Sequence, residues 1–79
     1  MIAPIKNHIR RLRFEGGDIT QEMLAQRCGA TRQTIISLEA GKYTPSLDLA
    51  MRIAEAFGKK VDDVFFRMPT DTGAETTKV

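Results

Sequence analysis

The segment TRQTIISLEAGK, which begins at Thr31, combines side chains that can hydrogen-bond to bases and phosphates. An arginine can make two hydrogen bonds to guanine, a glutamine can do the same to adenine, and an aliphatic group can pack on the methyl group of thymine. At the 100° spacing of a helix, Ile35 falls on an apolar side and is predicted to be buried. The opposite side collects the groups suited to base edges: Arg32, Gln33, Ile36 and Ser37. A polar helix face that is merely solvated carries the same residue types, so this pattern alone leaves both interpretations open.

Caps and turn residues divide the chain into five predicted helices and no strand. Helical spacing of Ile5, Ile9 and Leu12 indicates the first helix, which a Gly-Gly-Asp sequence interrupts. Thr20 and Thr31 are good N-caps for the second and third helices, and a glycine follows the third. The last four predicted helices span residues 21–27, 32–40, 47–57 and 61–66. Five short helices without a strand predict a compact all-α domain.

Length and composition limit the class of protein. A chain of 79 residues is expected to form one domain with a small core. Residues 1–67 are predicted to form this domain, and the polar residues 68–79 to form a flexible tail. The predicted core residues are Ile5, Ile9, Leu12, Ile19, Leu24, Ile35, Leu38, Leu47, Ile53, Phe57, Val61, Val64 and Phe65.

The few residues that support catalysis or metal binding lie on separate predicted elements. There is one cysteine, Cys28, which reads as a small apolar filler, and one histidine, His8, which reads as a surface residue. One thiol cannot form an internal disulfide, and the two serines, Ser37 and Ser46, have no nearby partners for a catalytic triad. We therefore expect no enzyme activity, no metal and no cofactor.

Positive charge is concentrated in the first half of the chain. The formal net charge is +2, but residues 1–42 hold seven Lys and Arg against four Asp and Glu, whereas the remainder holds five against six. This distribution is compatible with a surface for phosphates, although it does not identify a partner. The sequence shows neither a signal peptide nor an apolar run of membrane-spanning length, so we expect a cytoplasmic chain without a membrane partner.

The sequence TQEMLAQRCGATRQTIISLEAGK resembles the helix-turn-helix of phage-repressor and Cro-type regulators, the xenobiotic-response-element family of bacterial regulators. The likeness continues backward to IKNHIRRLR and forward through YTPSLDLAMRIAEAFGKKVDDVF, and covers about 60 residues in order. It implies a lambda-repressor-like five-helix bundle and a transcriptional regulator, with repression as the expected effect. Two positions depart from the family pattern: Met23 where many members carry Glu, and Lys60 where a Ser commonly caps the fifth helix.

The resemblance also implies roles for individual residues. Arg13 and Glu39 would form a structural ion pair that orients the third helix. Contacts with bases are implied for Arg32, Gln33 and Ser37. Ile36 would contact a thymine, contact another protein or be an ordinary exposed aliphatic residue. Contacts with the DNA backbone are implied for Gln21, Thr31, Thr34, Lys42 and Tyr43. Gln21 could instead contact the first base of a half-site, and Tyr43 could be a packing residue.

The expected partner is a double-stranded operator with inverted half-sites, bound by a homodimer. The predicted dimer interface comprises Leu49, Phe65 and Phe66, because the two adjacent phenylalanines cannot both be buried in one small core. An antitoxin that binds a partner protein, or a controller protein of a restriction-modification system, remains an alternative within the same fold.

Overall fold

The computed structural model describes residues 5–67. Its helices are α1 (Ile9–Glu15), α2 (Gln21–Cys28), α3 (Arg32–Glu39), α4 (Leu47–Ala56) and α5 (Val61–Val64), and its strands are β1 (Ile5–Asn7) and β2 (Phe65–Arg67). The predicted bounds of the second, third and fourth helices are confirmed to within one residue. The predicted tail at 68–79 lies outside the described residues. Within the described part of the chain, no helix is long and apolar enough to cross a membrane.

Side-chain caps set the beginnings of the three central helices. The Thr20 hydroxyl accepts a hydrogen bond from the backbone N–H of Met23, and the Thr31 hydroxyl accepts one from Thr34. The Ser46 hydroxyl starts α4 in the same way. Each cap satisfies a backbone donor that the first turn of a helix leaves without a partner. The turn between α2 and α3 depends on Gly29, whose φ of 70° is left-handed and unfavourable for other residues.

The first helix and the all-α prediction need correction. Ile5–Asn7 forms β1 and pairs antiparallel with β2, with Ile5 opposite Arg67. The helical spacing of the isoleucines concealed this strand because pairing with a distant segment leaves no local signal. The domain is therefore five helices closed by a two-stranded sheet.

The same pairing shortens the predicted fifth helix, which ends at Val64. Phe65 and Phe66 are extended in β2, so their side chains point to opposite faces of the sheet. Phe65 packs against the core, and Phe66 stacks on His8 with 4.3 Å between the ring centroids. His8 is thus half-buried beside an aromatic ring rather than being a simple surface residue.

One apolar cluster occupies the centre of the domain. Its members are Ile9, Leu12, Ile19, Leu24, Ala25, Cys28, Ile35, Leu38, Leu49, Ile53, Ala54 and Val64. Leu47 was predicted to belong to it but is 71% exposed, whereas Leu49 is only 8% exposed. Side chains two positions apart on a helix point in directions about 200° apart, so Leu47 and Leu49 lie on opposite sides of α4. The buried position of Leu49 also contradicts its predicted place in a dimer interface.

Cys28 is buried at the end of α2, as expected for an apolar filler. Burial raises the pKa of its thiol above the ordinary value of 9.0, because a thiolate is poorly solvated there. The thiol therefore stays protonated at neutral pH.

Candidate nucleic-acid interface

The two sides of α3 differ as the helical spacing predicts. Ile35 is fully buried against the core. On the opposite side, Arg32 and Gln33 are exposed, and Ile36 and Ser37 are half-buried. Gln33 Nε2 lies 3.4 Å from Ser37 Oγ, a long hydrogen bond that links two of these side chains across one turn. The structure thus brings the four predicted base-contacting residues onto one accessible surface.

A hydrogen-bonded network fixes the C-terminal end of α3. Glu39 accepts from Arg13 Nε at 2.7 Å and from Arg13 Nη2 at 3.1 Å, so the predicted ion pair is present and bidentate. Each of the two side chains is only 11% exposed. Arg13 Nη1 also donates to the carbonyl of Ile19 at 2.9 Å, which ties the loop before α2 to the same group. A carboxylate near a helix C-terminus is unfavourable alone, and the guanidinium offsets this repulsion.

Gln21 joins the same network at the beginning of α2. Its Nε2 donates to Glu39 Oε1 at 3.2 Å, and the residue is half-buried. A primary amide carries two N–H donors and one carbonyl, so one donor remains for a phosphate or a base. Gln21 and Arg32 line one open depression, so the beginnings of α2 and α3 lie side by side.

The other predicted backbone-contacting residues lie at the two ends of α3. At the N-terminal end, Thr31 Oγ1 lies 2.9 Å from Thr34 Oγ1 and caps the helix. At the C-terminal end, Lys42 and Tyr43 have exposed side chains in the loop that leads to α4. The Lys42 backbone N–H donates to the carbonyl of Ser37 at 2.9 Å, which folds this loop back onto the helix. Hydroxyl, ammonium and phenol groups therefore flank the outer surface of α3.

Asn7, which the sequence pattern did not single out, connects the sheet to α3. Its Nδ2 donates to the carbonyl of Leu38 at 2.9 Å, and its Oδ1 accepts from the backbone N–H of Ile9 at 3.1 Å. The second bond satisfies a donor in the first turn of α1, which is the usual role of an asparagine just before a helix. An asparagine two residues before the first apolar residue of a helical pattern, here Ile9, was the signal that could have located the beginning of α1.

Comparison with known proteins identifies this arrangement of helices. The helix-turn-helix family model HTH_3 matches residues 9–64, which is more than half of the chain. The chain belongs to the Cro/C1-type helix-turn-helix family. In a helix-turn-helix, the second helix of the pair is called the recognition helix, and α3 occupies that position in this chain.

Several curated relatives carry the same helix-turn-helix. An uncharacterised HTH-type transcriptional regulator of Methanothermobacter thermautotrophicus is 59% identical over 58 residues, which cover 72% of this chain and 83% of the relative. MJ0272 of Methanocaldococcus jannaschii is 56% identical over 48 residues, 61% of this chain and 73% of its own. YgzD of Bacillus subtilis is 45% identical over 62 residues, 78% of this chain and 92% of its own. Both are also named uncharacterised HTH-type transcriptional regulators.

A solved structure shares the helix-turn-helix fold. It is the crystal structure of a provisionally assigned DNA-binding protein from Bacteroides fragilis, with a TM-score of 0.69 and 26% sequence identity. The superposition covers 78% of this chain and 98% of that chain. Its extent shows that the helix-turn-helix and the helices around it are shared.

Proposed function

We propose that this protein is a transcriptional regulator that binds a specific double-stranded DNA sequence with α3 in the major groove and acts as a repressor. The observation that carries the proposal is the outer surface of α3, where a guanidinium, an amide, a hydroxyl and an aliphatic group lie together. Family membership and the names of the relatives support a DNA-binding regulator, a class that is typically not enzymatic. The proposed role would be carried out in the cytoplasm.

The outer surface of α3 is assigned to bases, and the residues that flank it are assigned to phosphates. Arg32 and Gln33 lie in the first turn, which leads into the groove in recognition helices, and they are assigned to base edges. Ile36 and Ser37 lie one turn further along and are assigned to the next bases. Backbone contacts are assigned to Gln21, Thr31, Thr34, Lys42 and Tyr43, because phosphate contacts fix the position of a protein on the duplex.

The protein is also proposed to act as a homodimer on an inverted repeat. With Leu49 buried, the exposed apolar surface of α4 is a better candidate interface: Leu47 is 71% exposed and Met51 is 47% exposed. They are one helical turn apart and therefore lie on the same face. Contributions to the dimer from Phe65 and Phe66 remain predictions, since both side chains already have contacts within the chain.

DNA binding can be tested by fluorescence anisotropy with fragments upstream of the protein's own gene, at two salt concentrations. The proposal fails if no fragment binds more tightly than random DNA. Arg32→Ala is expected to cost about 1–3 kcal/mol on the cognate site and to relax specificity at one base pair. Lys42→Ala should weaken cognate and random DNA alike and reduce the salt dependence. Lys59→Ala removes the same charge from a residue beside Phe57, outside the proposed interface, and serves as the control.

Light scattering after size-exclusion chromatography tests the dimer separately. The Leu47→Ser, Met51→Ser double variant should be monomeric at concentrations where the unchanged protein is dimeric. Met23→Ser removes a methionine of α2 that is 40% exposed, close to the value for Met51, and should leave the mass of the assembly unchanged. If the wild-type protein is monomeric both alone and with its operator, the homodimer proposal is contradicted, but the DNA-binding proposal is not.

A further inference from the structure

Phe14 is an exposed aromatic residue with no place in the core. It lies at the end of α1, its side chain is 55% exposed, and it is absent from the central apolar cluster. Two guanidinium groups flank its ring: Arg13 Cζ lies 5.7 Å from the centroid and Arg10 Cζ lies 6.0 Å from it. These distances are within the range of cation–π attraction.

The two arginines differ in how their charges are used. Arg13 is bound to Glu39 by two hydrogen bonds, so its charge is neutralised inside the domain. Arg10 is exposed and forms no ion pair with any other residue in the described range 5–67. Its charge is therefore available to an external anion, and its stem is already positioned by the ring of Phe14.

The location of Arg10 and Phe14 indicates which anion they face. Both line the open depression between α1, α2 and α3, together with Gln21 and Arg32, which are assigned to DNA above. A duplex that contacts Gln21 and Arg32 would therefore bring its backbone past the end of α1. A guanidinium can bind phosphate oxygens through two hydrogen bonds, and a phenyl ring offers apolar surface to a deoxyribose.

We propose that Arg10 and Phe14 form a second DNA contact, in which Arg10 binds a backbone phosphate flanking the bases read by α3 and Phe14 packs on the adjoining deoxyribose. This inference rests on the proposed function. It extends the interface from the helix-turn-helix to α1 and assigns a role to an exposed aromatic residue. The contact is independent of sequence, so it increases affinity and sets the register of α3 rather than selecting bases.

Arg11 provides a matched control for Arg10. It is the next residue on the same helix, it is exposed, and it pairs with Glu15 at 3.5 Å. Arg11 is not among the residues that line the depression beside Arg32. Loss of the Arg11 guanidinium therefore changes the net charge by the same amount without removing the proposed contact.

The test measures anisotropy over a series of salt concentrations with cognate and random duplexes. Arg10→Ala should weaken binding to both duplexes roughly tenfold, the effect of one charge-assisted hydrogen bond, and should lower the slope of log K against log salt by about 0.9. Phe14→Ala should weaken binding to both without changing the slope, because it removes no charge. Arg11→Ala should leave the slope at the wild-type value. An Arg10→Ala slope equal to that of the Arg11→Ala variant would overturn the proposal.

Duplex length gives a second measurement. When flanking base pairs are trimmed one at a time from the cognate duplex, the advantage of the wild type over Arg10→Ala should disappear at a defined length. An advantage that persists on the shortest duplex that still binds contradicts a flanking phosphate. Arg10→Gln keeps most of the side chain and replaces Arg10→Ala if thermal melting shows that the alanine variant is unfolded.

The two proposals fail in different ways. If the wild type binds cognate and random DNA equally, sequence-specific recognition fails, while the Arg10→Ala slope on random DNA still tests the second contact. If the wild type prefers its cognate site and the Arg10→Ala slope is unchanged, only the second contact fails.

Discussion

The two ends of α3 are held by different kinds of contact. At the N-terminal end, the Thr31 hydroxyl accepts a hydrogen bond from the backbone N–H of Thr34, so both partners lie within three residues of each other in the sequence. At the C-terminal end, Glu39 binds Arg13 and Gln21, and the carbonyl of Leu38 accepts from Asn7. Those partners are 18 to 31 residues away in the sequence. Tertiary contacts therefore fix the orientation of the helix from its far end, while the end that carries Arg32 and Gln33 remains accessible for a ligand.

The largest effect should follow from removing Glu39, which collects most of the distant contacts. Glu39→Ala leaves the largely buried Arg13 guanidinium without its partner, so we expect a loss of about 3 kcal/mol in the free energy of unfolding. Urea denaturation measures this change. Glu15→Ala breaks the exposed pair with Arg11 and should cost no more than about 0.5 kcal/mol. Equal losses in the two variants would mean that the Glu39 network stabilises the fold no more than an exposed ion pair does.

A smaller effect is expected at Asn7, because it makes two neutral hydrogen bonds. Asn7→Ala should reduce the free energy of unfolding by about 1–2 kcal/mol. The carbonyl of Leu38 keeps a second donor, the backbone N–H of Gly41 at 3.0 Å, so the loss should stay within this range. Thermal denaturation of Asn7→Ala and of the neighbouring exposed Lys6→Ala gives the comparison. A loss no greater than that of Lys6→Ala would mean that the sheet does not support α3.

Asn7→Asp separates the two bonds of this side chain. An aspartate still accepts from the Ile9 N–H, where the N-terminus of α1 favours its charge. It cannot donate to Leu38, however, and its second oxygen faces the Leu38 carbonyl at the negative end of α3, which we expect to be the larger effect. The variant should be less stable than wild type at neutral pH and should recover part of the difference when the carboxylate is protonated. Stability curves at pH 7 and at about pH 3, compared with wild type at each pH, check this expectation.

The N-terminal cap should matter less than the C-terminal network. Thr31→Ala removes one local hydrogen bond and is expected to cost about 1 kcal/mol, whereas Thr31→Ser keeps the hydroxyl and should be close to wild type. Chemical denaturation of both variants separates the contribution of the hydroxyl cap from that of the threonine methyl group, because the serine variant loses only the methyl group. A Thr31→Ala variant that loses as much stability as Glu39→Ala would contradict a locally held end.

The smallest stability effect is expected on the outer surface of α3. Ile36→Ser changes a half-buried residue outside the core, so the free energy of unfolding should change by no more than about 0.5 kcal/mol. Binding to operators that differ at single base pairs should nevertheless lose a preference for one thymine if Ile36 contacts its methyl group. A full thymine preference in the variant would assign Ile36 to ordinary exposed surface.

Local signals account for what could be predicted from the sequence. Thr20, Thr31 and Ser46 act within three residues of themselves, so the bounds of α2, α3 and α4 could be read directly. The burial of Ile35 followed from helical spacing alone. The ion pair of Arg13 with Glu39 needed the family resemblance, because nothing in the spacing of these residues joins them.

The errors concern contacts between distant segments. Each of the strands β1 and β2 is formed only by pairing with the other, so neither can be recognised alone. The position of Ile5 fits a helical period and a short strand equally well. Leu47 was counted in the core because it is a large apolar residue, although its helical position relative to Ile53 places it on the exposed side of α4. The exposure of Phe14 beside Arg10 could not be predicted from the sequence, because it depends on how α1 packs. The DNA contacts themselves remain predictions.

The pairing of Ile5 with Arg67 closes a loop that spans the whole described domain. Closing such a long loop costs chain entropy that the local helical turns do not incur. The strands should therefore join late in folding, after α2 and α3 have packed, and should separate first when the native state fluctuates. Hydrogen exchange at the backbone amides of β1 should accordingly be faster than at those of α2. Opening of this sheet would also release Asn7 from Leu38, so we expect the C-terminal end of α3 to become fully fixed only in the last step of folding.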